Sequence, residues 1–117
     1  MVGFDAVRGR ERKDTAMALD LYAGEHRERI APQDEYLLQL ADAESTGYPQ
    51  LSALQAAFYD SPRLSARQAG ELAHELLMLM TCAEGSLNPA QLRRGLRLAA
   101  FFSAASREGL EIRTASD

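Results

Sequence analysis

From position 34 onward the chain is a series of apolar stripes at helical spacing, separated by clusters of helix-breaking residues. Asp34 to Ser45 reads as a helix with Tyr36, Leu37, Leu40, Ala41 and Ala43 turned inward. Gly47 ends it. Pro49 then opens a second helix, at the first position, where its missing N–H costs nothing. In that helix Leu51, Leu54 and Phe58 recur at i, i+3 and i+7, and Asp60 to Pro62 closes it. Ser65 with Gln68 makes a capping box: the serine side chain satisfies an orphan N–H while the glutamine reaches back. The helix it starts runs to about Ala83, with Ala69, Leu72, Ala73, Leu76, Met80 and Ala83 as its core stripe. Leu77, Met78 and Leu79 add apolar surface on its other sides, so its second half should be surrounded.

Glu84 to Leu87 reads as a turn. Asn88, Pro89 and Gln91 repeat the capping logic before a last helix that should reach Glu108. Its apolar arc takes in Leu92, Leu96, Leu98, Ala99, Phe102 and Ala105, with Phe101 at the margin. Gly109 is the expected left-handed residue after it, and Leu110 its hydrophobic contact. Leu110, Ile112 and Thr114 then alternate with Glu111 and Arg113, which predicts a short final strand.

Ahead of position 34 the pattern is thinner. Residues 2–6 alternate as a half-buried strand does, and residues 8–14 are a charged loop. Residues 15–21 fit either period two or a helix, with a strand ahead, which would make 2–21 a hairpin. Gly24 to Pro32 reads as an irregular, charged connection. The fold predicted is mainly α, of the α+β kind. About four helices pack around a central helix (66–83), with a small sheet from N-terminal strands and a short C-terminal strand.

Length and composition narrow this to one globular domain over residues 1–117, since 117 residues with 46% hydrophobic content suit a single core. The single cysteine, Cys82, allows no intrachain disulfide, and no apolar run approaches the ~20 residues of a membrane span. A cytoplasmic location is the expectation. The formal net charge is −4 and is unevenly spread: residues 34–61 hold five acids and no Lys or Arg. That balance makes nucleic acid an unfavoured partner.

Motifs that carry chemistry are few. His74 and Cys82 lie eight residues apart, about 12 Å along a helix and too far to share a metal ion. His74 reads as a surface residue and Cys82 as a half-buried small hydrophobe. Neither an enzyme site nor a cofactor is indicated, and no metal ligand set is expected. The acidic segment offers a surface instead. Glu35, Gln39 and Asp42 fall on one helix face, with the Glu35 and Asp42 carboxylates about 10 Å apart: too far to share a proton, suited to meeting several cations. Glu44 is a further acid of the segment, and Tyr48 and Tyr59 flank the segment as candidate aromatic anchors. A plainer role for Asp34 and Glu35 is to complement the helix dipole. On the last helix Arg93, Arg97 and Arg107 share a stripe that could meet DNA, although solvent-facing arginines between alanines need no ligand.

Tyr48, Pro49, Leu51 and Leu54, running into Phe58, Tyr59, Asp60 and Ser61, together with Gly109 to Ile112 and the tail to Asp117, carry a resemblance. The chain resembles small bacterial proteins of similar length, some of them immunity-type partners of toxins, over its C-terminal two-thirds. The resemblance implies a toxin-binding role and carries over no functional residue. The expected function is a non-enzymatic protein-interaction module, an immunity-type inhibitor binding a basic patch on a partner through Glu35, Asp42, Glu44, Tyr48 and Tyr59. The alternative is a small DNA-associated regulator using the arginine stripe. A homodimer through the apolar excess of residues 76–80 is compatible with either.

Overall fold

Gly24 sets the N-terminal hairpin. The structure, a computed structural model, describes residues 18–43 and 47–116. Within it β1 (Leu19–Ala23) and β2 (His26–Ile30) pair antiparallel around the two-residue loop Gly24 and Glu25. Gly24 has φ +59°, which a two-residue hairpin loop needs and a side chain resists; a Cβ there would also press on Leu110 at 3.1 Å. The hairpin therefore occupies 19–30 rather than 2–21, and the stretch read as irregular connection is a strand. Its only apolar inward residue is Ile30, while Glu28 points the same way under arginines, so hydrophobic alternation could not reveal it. The strand reading over 15–21 holds for Leu19 to Leu21; residues 2–6 and 15–17 lie outside the described residues.

The C-terminal strand β3 (Arg113–Ser116) joins the other side of β1, giving the antiparallel order β2-β1-β3. It starts later than the alternation suggested. Ile112, fully buried, pairs with Leu64 instead, through backbone bonds of 2.8 and 2.9 Å. The outer margin of β3 is stitched to the segment before α3 by side chains. Ser116 Oγ donates to Phe58 O at 2.7 Å, the Ser61 and Ser116 amides each donate to the other's hydroxyl at 3.0 Å, and Thr114 Oγ1 donates to Pro62 O.

Among the described residues four α-helices complete the fold, the last of them packed on β2. A single 3-10 turn, Pro32–Asp34, leads into α1 (Glu35–Ala43), so the helix proper starts one residue later than predicted. Leu37, Leu38 and Ala41 are its buried side chains; Leu40 is only half-buried. The second helix, α2 (Pro49–Ala56), buries Leu51 and Leu54, and Phe58 follows in a 3-10 turn. Both capping boxes form as the sequence predicts. Ser65 and Gln68 start α3 (Ala66–Cys82), and Asn88 and Gln91 start α4 (Pro89–Arg107). The Leu110 N–H donates to Ala105 O and the Gly109 N–H to Ser106 O, which closes α4.

Helices α3 and α4 form the main packed pair, with Phe102, Leu72, Leu76 and Leu98 between them and the sheet. Gly95 leaves no room for a side chain between them: a Cβ there would lie 2.3 Å from Met80 Sδ. Because the Met80 thioether is flexible but only 5% exposed, a large side chain cannot be absorbed without repacking. Gly95→Leu is expected to cost about 1–3 kcal/mol, read as a lower denaturant midpoint with an unchanged slope.

Candidate functional site

The acidic segment is divided by the fold. The 3-10 turn at Pro32 carries Asp34 inward until it is 2% exposed. There its carboxylate accepts from Arg94 of α4, with Nε shared between Oδ1 at 3.2 Å and Oδ2 at 3.3 Å and Nη2 on Oδ2 at 2.9 Å, and from the Ala31 amide at 3.0 Å. Arg94 also donates to Arg29 O at 2.8 Å and lies 3.6 Å from Glu28, which Arg97 approaches at 3.3 Å. The hydrogen-bonded Asp34 carboxylate raises the Arg94 guanidinium above its already high ordinary pKa, against the opposing effect of burial. Asp34 therefore contributes to the core and not to an outer face. Sequence reasoning missed Arg94 because its partner lies 60 residues away.

What remains of the predicted binding face is smaller. Glu35 is half-buried at the start of α1, and Gln39 is exposed one turn on. The Asp42 side chain and all of Glu44 lie outside the described residues. Tyr48 sits in the core, 8% exposed, at the N-terminus of α2, while Tyr59 stands at the surface, 58% exposed and edge-on to Phe58. Of the two tyrosines, only Tyr59 is placed to anchor a partner.

The remaining titratable groups are structural or peripheral. Tyr48 gives α2 no side-chain cap. Glu75 of α3 supplies one from outside: its buried carboxylate accepts the Gln50 N–H at 3.0 Å and the Leu51 N–H at 2.9 Å. A carboxylate at a helix N-terminus meets both the orphan donors and the positive end of the dipole. His74, exposed as expected, borders the open hollow beside this contact, with Arg67, Glu71 and Ser106. His26 bonds Glu108 at 3.0 Å. Cys82 is exposed, not half-buried as its apolar surroundings in sequence suggested, because α3 ends just there and turns the thiol outward. Among the described residues no group of three His, Cys, Asp or Glu side chains is placed to hold a metal ion, and no helix is long and apolar enough to cross a membrane.

The largest departure from the predicted core is apolar. Leu79 is buried, but Leu77 and Met78 are each 47% exposed, so the second half of α3 is not surrounded. Leu96, placed in the inward arc of the last helix, is 53% exposed, whereas Phe101, placed at its margin, is buried. Helix α4 is thus rotated relative to the predicted arc, as the Gly95 contact with α3 requires. Leu77 and Thr81 on one wall, Leu92 and Leu96 on the other, and Met80 beneath form a shallow hollow of about 280 Å³. Arg93 is exposed beside it, with no ion-pair partner among the described residues. No family model, no curated protein and no solved structure matches the chain.

Proposed function

We propose that this protein is a non-enzymatic protein-binding module that meets its partner through the apolar strip of α3 and α4. The observation that carries the reading is the near half-exposure of Leu77 and Leu96 on opposite walls of one hollow, with the equally exposed Met78 next to Leu77 in the chain. Contiguous leucine and methionine at a surface favour an apolar partner, because covering them removes their contact with water. Two antiparallel helices make a groove of the kind that receives one face of a third helix. Arg93 gives the groove a cationic margin, complementary to an acidic edge on that helix.

An immunity-type inhibitor of a toxin is the specific form of this function we put forward. In that form Glu35, Asp42 and Glu44, with Tyr59, supply a second contact to a basic patch. The loss of Asp34 and Tyr48 to the core leaves this acidic contact secondary to the strip. Tagged wild-type protein, Leu96→Glu and Glu35→Lys, each recovered from the native host, test the order of importance. A co-purifying protein, identified and then titrated against all three, is expected to bind Leu96→Glu about 30-fold more weakly. Retained binding by Leu96→Glu with loss in Glu35→Lys would move the contact to the acidic face. A reversible dimer that Leu96→Glu dissolves in sedimentation would replace the foreign partner with a second copy.

A further inference from the structure

The sheet has a second face, turned away from the helices, and its side chains were scattered beyond recognition in the sequence. Leu19, Leu21 and Ala23 of β1 point into the core, so Asp20 and Tyr22 point outward. The register places Arg27 of β2 directly across from Tyr22 on one side and Arg113 of β3 directly across on the other. Asp20 is flanked in the same way by Arg29 and Ala115. The Arg27 guanidinium lies 5.3 Å from the centre of the Tyr22 ring. Arg29 bonds Asp20 at 3.3 Å, which leaves Arg27 and Arg113, both exposed, as the cations of this face with no carboxylate partner among the described residues. A chain of net charge −4 has here placed an aromatic residue between two arginines on neighbouring strands.

We infer that this face binds single-stranded nucleic acid, with one base stacked on the Tyr22 and Arg27 pair and the flanking phosphates held by Arg27 and Arg113. The strands lie ~4.8 Å apart, so the two arginine backbones stand about 10 Å apart across the ring. Their long stems let the charged heads close on phosphates to either side of a stacked base. A flat aromatic beside cations suits a base because every base offers a π-face, and a guanidinium stacks on it as well. An acidic peptide would engage the arginines but leave the ring idle. The arginine stripe of α4 has no such ring, and its Arg97 is occupied by Glu28. This inference is independent of the helix strip, and its failure would leave the protein-binding reading intact.

Fluorescence anisotropy with labelled short oligo(dT) and oligo(U), at roughly 50 and 200 mM salt, tests it. The wild type is expected to bind with a salt slope near −1.4, two phosphates at about −0.7 each, and Arg27→Gln or Arg113→Gln to halve that slope. Tyr22→Leu, which keeps an apolar side chain on the strand, is expected to weaken binding about 5- to 100-fold. Should Tyr22→Leu unfold by circular dichroism, the exposed Arg113→Glu variant carries the test, with loss of binding expected. Undetectable binding at the lower salt overturns the inference, as does affinity indifferent to Tyr22 and Arg113. Loss with Arg93→Gln instead would assign the binding to α4. Equal competition by polyglutamate would make the face a general anion surface and reject the stacked base.

Discussion

Arg94→Met is expected to destabilise the protein by about 3 kcal/mol, because it leaves the Asp34 carboxyl group at 2% exposure without its cationic partner. Breaking one partner of a buried pair costs more than the pair contributed, since the survivor keeps the whole desolvation penalty. The reverse change, Asp34→Asn, should be milder, about 1–2 kcal/mol. The amide oxygen still accepts from Ala31, and Arg94, with 29% of its side chain exposed, keeps both water and Glu28. Equilibrium unfolding in urea measures both. A cost for Arg94→Met below that of Asp34→Asn would show that the carboxylate finds other solvation. The pH behaviour follows from the raised Arg94 pKa. A folded-state value above the unfolded one means stabilisation that is fully present below the unfolded pKa and is lost only as pH climbs past it. The pair should therefore cause no loss of stability across neutral and mildly alkaline pH.

Glu75→Leu is the second large effect, again about 3 kcal/mol, from two charge-assisted bonds and two stranded amides. Leucine fills a similar volume but accepts nothing, so the Gln50 and Leu51 N–H groups at the start of α2 lose the carboxylate that accepts from them. Glu75→Gln keeps one acceptor oxygen and should cost roughly half as much. Amide hydrogen exchange separates this from general loosening. Protection should fall first at Gln50 and Leu51 in both variants, with Glu75→Gln intermediate. Uniform loss of protection throughout α3 would instead mean that Glu75 acts by packing.

How much of this was legible in the sequence depended on whether the signal was local. Both capping boxes, the proline starts of α2 and α4, and Gly109 after α4 are decided within four residues, and each appears where it was read. Strand β2 was not legible, because Glu28 takes an inward position only when Arg94 and Arg97 are supplied from another element. Helix rotation failed for a related reason. Leu96 fits the apolar arc as well as Phe101 does, and the choice between them is made by Gly95 against Met80. The acidic face was read from charge along the chain, which cannot distinguish Asp34, buried against a guanidinium, from Glu35 beside it. The cluster around Tyr22 needed the strand register before Arg27 and Arg113 became neighbours.

The serine and threonine stitches along β3 bear on how this molecule behaves in a crowd. A three-stranded sheet has two margins, and each presents amides that could recruit a strand from another molecule. On one margin the Ser116 amide already donates to Ser61 Oγ, and the Ser116 and Thr114 hydroxyls donate to the Phe58 and Pro62 carbonyls, which holds that stretch of chain along the edge. On the other, the Arg29 amide is turned to the Glu28 carboxylate and its carbonyl to Arg94. Edge-to-edge sheet growth is thereby discouraged at both sides, so the exposed leucines of α3 and α4 lie on a molecule whose sheet does not itself recruit further strands.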